Sequence, residues 1–134
     1  MVSFSRLSVR NFKRFSGHHE IELAGDGRVT VIAAENGVGK TTLMEAIHIA
    51  LYGKRSFSFL YPKEDFENWL EAAYSVDAEG DRHILLALEM SDPILGPIRI
   101  SRTFWLLGGE YGLEEEVGIE VDGKPLEREH GETR

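Results

Sequence analysis

A lysine and two threonines follow a glycine-rich stretch in the first third of the chain. The residues from Ala34 to Thr42 read Ala-Glu-Asn-Gly-Val-Gly-Lys-Thr-Thr. Glycines let successive backbone N–H groups converge on one anion, and the Lys40 ammonium adds positive charge beside them. A hydroxyl directly after that lysine, on Thr41, suits a magnesium ion. This spacing indicates a loop that binds the phosphates of a nucleoside triphosphate, and we expect the ligand to be ATP with Mg²⁺.

The segment matches the pattern G-x-x-x-x-G-K-[ST], known as Walker A, at every defined position except the first, where Ala34 replaces glycine. Alanine adds only one methyl group if its φ stays negative, so we expect binding to survive. Lys40 is predicted to bridge the β- and γ-phosphates, Thr41 to hold Mg²⁺, and Thr42 to reach the α-phosphate. The predicted contacts come from Glu35, Asn36, Gly37, Val38, Gly39, Lys40, Thr41 and Thr42.

The elements on both sides of this loop suit that role. Residues 29–34 are nearly continuous in apolar character, which is typical of a central strand covered on both faces. Apolar residues then recur at helical spacing and Gly53 follows them, so the pattern predicts a helix from about Lys40 to Tyr52. A chance glycine-rich turn before a helix is the alternative, and the strand, loop and helix in register disfavour it.

The remaining pattern predicts mostly strands. The first covers residues 2–10 with an irregularity near Ser5, and the second ends at residues 25–27 after a polar turn around Ser16 and Gly17. A short helix is predicted over about 63–74, two strands over 84–90 and 98–107, and a tight hairpin at Asp122-Gly123. We expect one domain, divided into residues 1–55 with the loop and first helix, a helical insertion over 56–82, and a mainly β part over 83–134.

Composition limits the classes of function. The chain has 134 residues, no cysteine and a formal net charge of −8, and no apolar run is long enough to cross a membrane. We therefore expect a cytoplasmic protein that makes at most local contact with DNA, because neutralising phosphates requires clustered cations. The one basic cluster is Arg6, Arg10, Lys13 and Arg14, for which a solvated face of mixed charge is the alternative.

The motif Asn11-Phe-Lys-Arg-Phe15, placed ahead of Glu35-Asn-Gly-Val-Gly-Lys-Thr-Thr-Leu-Met-Glu-Ala-Ile47, resembles the N-terminal lobe of SMC-like ABC ATPases. This group includes chromosome-maintenance and double-strand-break-repair proteins, and the likeness is best over residues 1–55. It implies an α/β fold, namely a P-loop NTPase that forms the N-terminal half of an ABC/SMC-type head with an antiparallel β subdomain and few helices. It also implies that Lys13 and Arg14 lie beside the nucleotide and that Asn36 faces a dimer partner.

Two further strings resemble the DndD ATPases of bacterial DNA sulfur modification (phosphorothioation). They are Leu51-Tyr-Gly-Lys-Arg55 and Ile98-Arg-Ile-Ser-Arg-Thr-Phe-Trp105.

Other parts of an ABC site are missing from the sequence. The chain contains no glutamine to bind Mg²⁺ and water, and the strand Ile84–Glu89 has no aspartate before its acid. The segment Leu106-Leu-Gly-Gly-Glu110 has leucine where a signature serine is expected, so a turn between strands is the better interpretation. We therefore expect no catalytic residue in this chain. The resemblance implies that hydrolysis needs a C-terminal lobe of the same ATPase and an ATP-dependent head-to-head homodimer, with DNA bound by the full assembly and no membrane involved.

Two other functions stay open at this point. A small P-loop kinase or GTPase is one, although the chain lacks an Asn-Lys-x-Asp guanine motif. A nucleotide-sensing or DNA-interaction module without catalysis is the other.

Overall fold

The computed structural model describes residues 3–23, 37–53, 65–74, 82–108 and 112–126. Within these ranges the chain forms six strands and two helices. In chain order they are β1 (Ser3–Phe12), β2 (Phe15–Glu22), α1 (Gly37–Tyr52), α2 (Phe66–Ala73), β3 (His83–Asp92), β4 (Gly96–Gly108), β5 (Gly112–Val121) and β6 (Lys124–Pro125). The predicted strand over 29–34 and the turn over 25–27 lie outside the described residues.

The strands form one antiparallel sheet in the order β2-β1-β3-β4-β5-β6. Because side chains alternate across a strand, apolar residues at every second position cover one face, which we call the inner face. Leu7 and Val9 of β1 pair with Leu88 and Leu86 of β3 there, and all four are fully buried. The helix α1 packs on this face against β3 and β4. Its buried residues include Leu43, Ala46, Ile49 and Ala50.

Both predicted helices are present, and each begins at a different residue from the predicted one. The helix α1 begins at Gly37, three residues before the predicted Lys40, so the glycines of the loop join its first turn. It ends as predicted, with Gly53 at φ 62° donating its N–H to the Ile49 carbonyl at 2.7 Å. The helix α2 starts after Asp65, whose carboxylate accepts the Glu67 N–H. Residues 63 and 64, which the prediction included, lie outside the described ranges.

The predicted turn at Ser16 and Gly17 is wrong, because both residues lie within β2 and the turn falls at Lys13-Arg14. The cause is Asn11, which adopts a left-handed φ of 59° and is 3% exposed. Its side-chain oxygen accepts the Gly17 N–H at 3.0 Å and its amide donates to the His83 carbonyl at 3.1 Å. Asparagine tolerates this backbone conformation better than most residues, and the two bonds fix where the chain reverses.

The predictions for β1, β3, β4 and the hairpin between β5 and β6 are confirmed. The register of β1 against β3 shifts between Phe4 and Arg6, which is the irregularity expected near Ser5. The Asp122-Gly123 turn has φ values of 55° and 80°, as a tight hairpin between β5 and β6 requires. In the turn between β3 and β4, Asp92 accepts the N–H groups of Leu95 and Ile94, and these bonds hold the pKa of its carboxyl below the usual range.

None of the helices in the described ranges has the length and apolar character needed to cross a membrane.

Replacing Asn11 by alanine should lower the free energy of unfolding by about 2 kcal/mol, because two hydrogen bonds of a side chain that is 3% exposed are lost. A urea titration followed by circular dichroism measures this change. The control is Asn68→Ala, which removes an exposed asparagine whose side chain bonds Asp65 at 3.3 Å and should cost under about 0.5 kcal/mol. Equal midpoints for the two variants would show that Asn11 does not hold the turn.

Candidate nucleotide-binding site

The start of α1 coincides with the glycine-rich motif. The backbone of Gly37–Lys40 forms its first turn. The first four N–H groups of a helix have no acceptor within that helix, and the helix dipole makes this end positive. Such an end binds anions, phosphates above all. The motif therefore coincides with a helix N-terminus, residues 34–36 lie outside the described ranges, and phosphate binding here stays a prediction.

The two threonines of the motif differ in environment. Thr41 is exposed, whereas Thr42 is 3% exposed. An exposed hydroxyl one turn into the helix is accessible to a ligand, so Thr41 suits its predicted role toward Mg²⁺. The side chain of Thr42 lies in the protein interior. Its contact with the α-phosphate stays a prediction.

Lys13 reaches α1 from the turn between β1 and β2. Its Nζ lies 2.7 Å from Oε1 of Glu45, a side chain that is only 7% exposed. Glu45 is four residues after Thr41, and residues at this spacing are neighbours on one helix face, about 6 Å apart between Cβ atoms. Lys13 is therefore paired with the residue that follows Thr41 by one helical turn on the same face of α1.

Aromatic rings from α2 and β1 border the Lys13 ammonium. Its Nζ is 5.1 Å from the centre of the Trp69 ring and 5.9 Å from that of Phe12, distances suited to cation–π attraction. The Lys13 backbone N–H donates to the Ala73 carbonyl at 2.5 Å, and Phe12 pairs with Tyr74 in an isolated bridge. The end of α2 thus holds the turn that carries Lys13 toward α1.

Sequence reasoning missed Glu45 and Trp69. A signal for Glu45 was present, because an acid four residues after Thr41 must share its helix face. Trp69 could not be found in this way, since its contact depends on how α2 packs against the end of β1.

The basic cluster predicted near the N-terminus is divided by the sheet. Arg6 lies on the face opposite α1, where its guanidinium forms ion pairs with Glu20, Glu22 and Glu89 at 3.2–3.9 Å. Arg10 shares that face by register, and its Nε is buried without a hydrogen-bond partner among the described residues. Arg14 is exposed at the same turn as Lys13. Of the cluster, Lys13 is the member that contacts α1.

Two segments that imitate catalytic motifs are ordinary strands. Glu89 lies in β3, which is antiparallel to both neighbours, and its carboxylate pairs with Arg6 and with Arg99 at 3.9 and 3.8 Å. The segment after Leu106 ends β4 at Gly108, and β5 begins at Gly112 antiparallel to it, which fits the turn interpretation, while residues 109–111 lie outside the described ranges. Among the described residues, no group of three or more acidic or imidazole side chains could hold a metal ion.

A family model described as "AAA domain" matches residues 6–82, more than half of the chain. The chain belongs to the AAA domain family. The matched range contains the Lys13 turn, the glycine-rich motif and both helices.

Three curated relatives are similar to this chain over parts of their length. Arcadin-4 of Pyrobaculum calidifontis is 29% identical over 128 residues, which are 96% of this chain and 15% of that protein. The DNA replication and repair protein RecF of Xanthomonas euvesicatoria pv. vesicatoria is 40% identical over 39% of this chain and 13% of its own length. The DNA double-strand break repair Rad50 ATPase of Archaeoglobus fulgidus is 34% identical over 40% of this chain and 6% of its own length.

These similarities support the predicted likeness to the N-terminal region of SMC-like ABC ATPases. The chain spans at most 15% of the length of these relatives.

Replacing Lys13 by methionine should lower the free energy of unfolding by about 2 kcal/mol, because it removes an ion pair to the Glu45 carboxylate, which is only 7% exposed. The double variant Lys13→Met/Glu45→Gln should lose less stability than the sum of the two single variants. The reason is that neither charge of the pair remains in the double variant. Urea unfolding of the four variants of this cycle gives the coupling energy. The control is Arg99→Met, whose ion pair with Glu89 is about one-third exposed and should contribute under about 1 kcal/mol. Additive losses at Lys13 and Glu45 would contradict the pairing.

Proposed function

We propose that this AAA domain binds ATP with Mg²⁺ on residues 34–42, as the N-terminal part of an SMC-like ATPase that acts on DNA. The observation that carries the proposal is the coincidence of the motif with the start of α1, where Thr41 is exposed. The motif supplies the residue types, and the helix supplies backbone N–H groups and a positive end.

Lys13 and Arg14 belong to the proposed site as cations beside the nucleotide. For Lys13 the support is its contact with Glu45, the residue that follows Thr41 by one helical turn on the same face of α1. Arg14 is exposed at the adjoining position of the same turn, where a long side chain is able to move toward a ligand. Neither residue is proposed to take part in bond breaking.

The metal part of the proposal rests on the donor set. Magnesium usually keeps several waters and takes few protein ligands when it is bound with nucleotide phosphates. One exposed hydroxyl, that of Thr41, fits this requirement, and no acidic cage is needed. When bound, Mg²⁺ would be held by the Thr41 hydroxyl and would neutralise negative charge on the phosphates. The protein's own contribution is to place the hydroxyl and the N–H groups.

Hydrolysis requires groups that we assign to other parts of the assembly. The chain has no glutamine, and Glu89 is held by two arginines on the sheet face opposite α1. We propose that a C-terminal lobe and an ATP-dependent homodimer supply the missing acid and signature, and that this complete assembly contacts DNA in the cytoplasm. The similarity to RecF, a DNA replication and repair protein, and to Rad50, a DNA double-strand break repair ATPase, supports a role with DNA.

A narrower part of the proposal assigns the whole protein to DNA sulfur modification. Its support is the resemblance of residues 51–55 and 98–105 to the corresponding strings of the DndD ATPases. Mass spectrometry of DNA from a host with and without the gene tests it, since phosphorothioate linkages should appear only in the host that carries the gene. Equal content in both hosts would refute the narrower part and leave ATP binding in place.

Replacing Lys40 by alanine should weaken Mg-ATP binding by about 2–3 kcal/mol, because a charged hydrogen bond to the phosphates is lost. Isothermal titration calorimetry measures the affinity, and a thermal melt should show little change in folding. The control is Lys124→Ala, which removes an exposed lysine from β6 and should leave the affinity unchanged. If the wild-type chain and the Lys40→Ala variant bind Mg-ATP equally, the assignment of the phosphate site is wrong.

Replacing Thr41 by alanine should reduce ATP affinity mainly when Mg²⁺ is present, since its hydroxyl acts through the metal. Lys13→Ala should reduce affinity with or without Mg²⁺, because an ammonium interacts with the charge of the nucleotide itself. Calorimetric titrations with Mg²⁺ and with excess chelator provide the four values, at a temperature where both variants are folded. Losses that respond identically to metal removal would contradict these separate roles.

A further inference from the structure

The C-terminal end of α1 is bound by an arginine from the sheet. Arg102 lies on the inner face of β4, and its Nε donates to the Ala50 carbonyl at 2.9 Å. Its Nη2 donates to the Leu51 carbonyl at 3.1 Å, and its Nη1 lies 2.6 Å from Oε2 of Glu115 in β5. All three guanidinium nitrogens are thus used by one helix end and one neighbouring strand.

The chemistry of a helix end explains this choice of residue. The last carbonyls of a helix have no donor within it, and the dipole makes this end negative. A planar guanidinium can donate to two adjacent carbonyls and to a carboxylate at once, which a lysine ammonium does less well. The Arg102 side chain is only 16% exposed, so water competes little for these bonds.

Gly53 allows the approach. It has a φ of 62°, and a Cβ built on it would lie 2.8 Å from Nη1 of Arg102 and 3.1 Å from Oε2 of Glu115. A side chain here would therefore meet the guanidinium as well as strain the backbone. The helix stop and the arginine contact form one arrangement, which we call the Arg102 latch: Arg102, Glu115, Gly53 and the carbonyls of Ala50 and Leu51.

We propose that Arg102 is a positioning residue for the nucleotide site at the other end of α1. The inference rests on the proposed function. A helix of 16 residues is about 24 Å long and moves as a rod when its buried face stays packed. Packing sets the height of α1 above the sheet, and fixing its last turn to β4 and β5 restricts how far the packed helix can slide along its own axis. The position of its first turn depends on this sliding, and phosphate contacts require binding groups to be placed within fractions of an ångström.

The latch also links the nucleotide to the β4–β5 hairpin. If the Arg102 contacts favour the α1 position that binds ATP, then bound ATP must favour the Arg102 contacts by the same free energy. Displacing β5 or its Glu115 carboxylate should accordingly lower nucleotide affinity at a distance.

The test uses the 134-residue chain and the variants Arg102→Met, Gly53→Ala and Arg102→Lys. Calorimetry should show Mg-ATP affinity at least tenfold lower for Arg102→Met at a temperature where circular dichroism shows it folded. Gly53→Ala should act in the same direction, and the double variant should lose little more than either single one. The affinity of Arg102→Lys should lie between those of Arg102→Met and the wild type.

The matched control is Arg99→Met. Arg99 is on the same strand, but its side chain lies on the opposite face, so this change should alter Mg-ATP affinity less than twofold.

Amide hydrogen exchange without nucleotide separates this role from simple helix capping. Positioning requires that Arg102→Met speeds exchange through the first half of α1, at residues 41–46, as well as in its last turn. Faster exchange confined to residues 49–53, with unchanged Mg-ATP affinity, would overturn the inference and leave Arg102 as a local cap.

If Arg102→Met does not fold, the variant Glu115→Gln replaces it. We expect this variant to bind Mg-ATP about threefold more weakly than the wild type. A wild-type chain that binds no Mg-ATP would refute the proposed function instead, while the exchange pattern would still decide whether Arg102 controls the helix.

Discussion

The burial of α1 against the inner face of the sheet is the constraint on which the rest of this structure depends. Four of its apolar residues are fully buried against strands that are themselves apolar on that face. Burying one large aliphatic side chain contributes about 1.5–3 kcal/mol, so the position of the helix is set mainly by this contact. The polar contacts at its two ends, from Lys13 to Glu45 and from Arg102 to the last carbonyls, then select one orientation among those that packing allows.

Much of the described fold follows from local patterns in the sequence. Alternation and turn residues predict β3, β4 and the Asp122-Gly123 hairpin, and helical spacing with Gly53 predicts where α1 ends. These features depend on residues close together in the chain, so the chain itself carries the information. The helix α1 begins three residues before the predicted Lys40, because the apolar spacing that predicts it starts only at Leu43 and does not show that the glycines of the motif join its first turn.

The turn between β1 and β2 shows what local patterns miss. Ser16 and Gly17 are typical turn residues, yet Asn11 moves the reversal to Lys13-Arg14 through its bonds to Gly17 and to the distant His83 carbonyl. For the site, the motif predicts which residues bind phosphate but not which residues pack around them. Glu45, Trp69 and Arg102 become relevant through contacts between elements that lie 32 to 56 positions apart, such as the 52 positions between Arg102 and Ala50.

The pairing of β1 with β3 has a consequence for the order of folding. The strands β3, β4, β5 and β6 are consecutive neighbours and can form as local hairpins, as can β1 with β2. The pairing of β1 with β3, however, joins residues about 80 positions apart and closes a loop that contains both helices. Closing so long a loop costs conformational entropy before any stabilising contact forms between the two strands. The pairing of β1 with β3 is therefore a slow step in folding. During synthesis the first hairpin must wait for β3 to emerge, and the surface on which α1 is buried is completed only then.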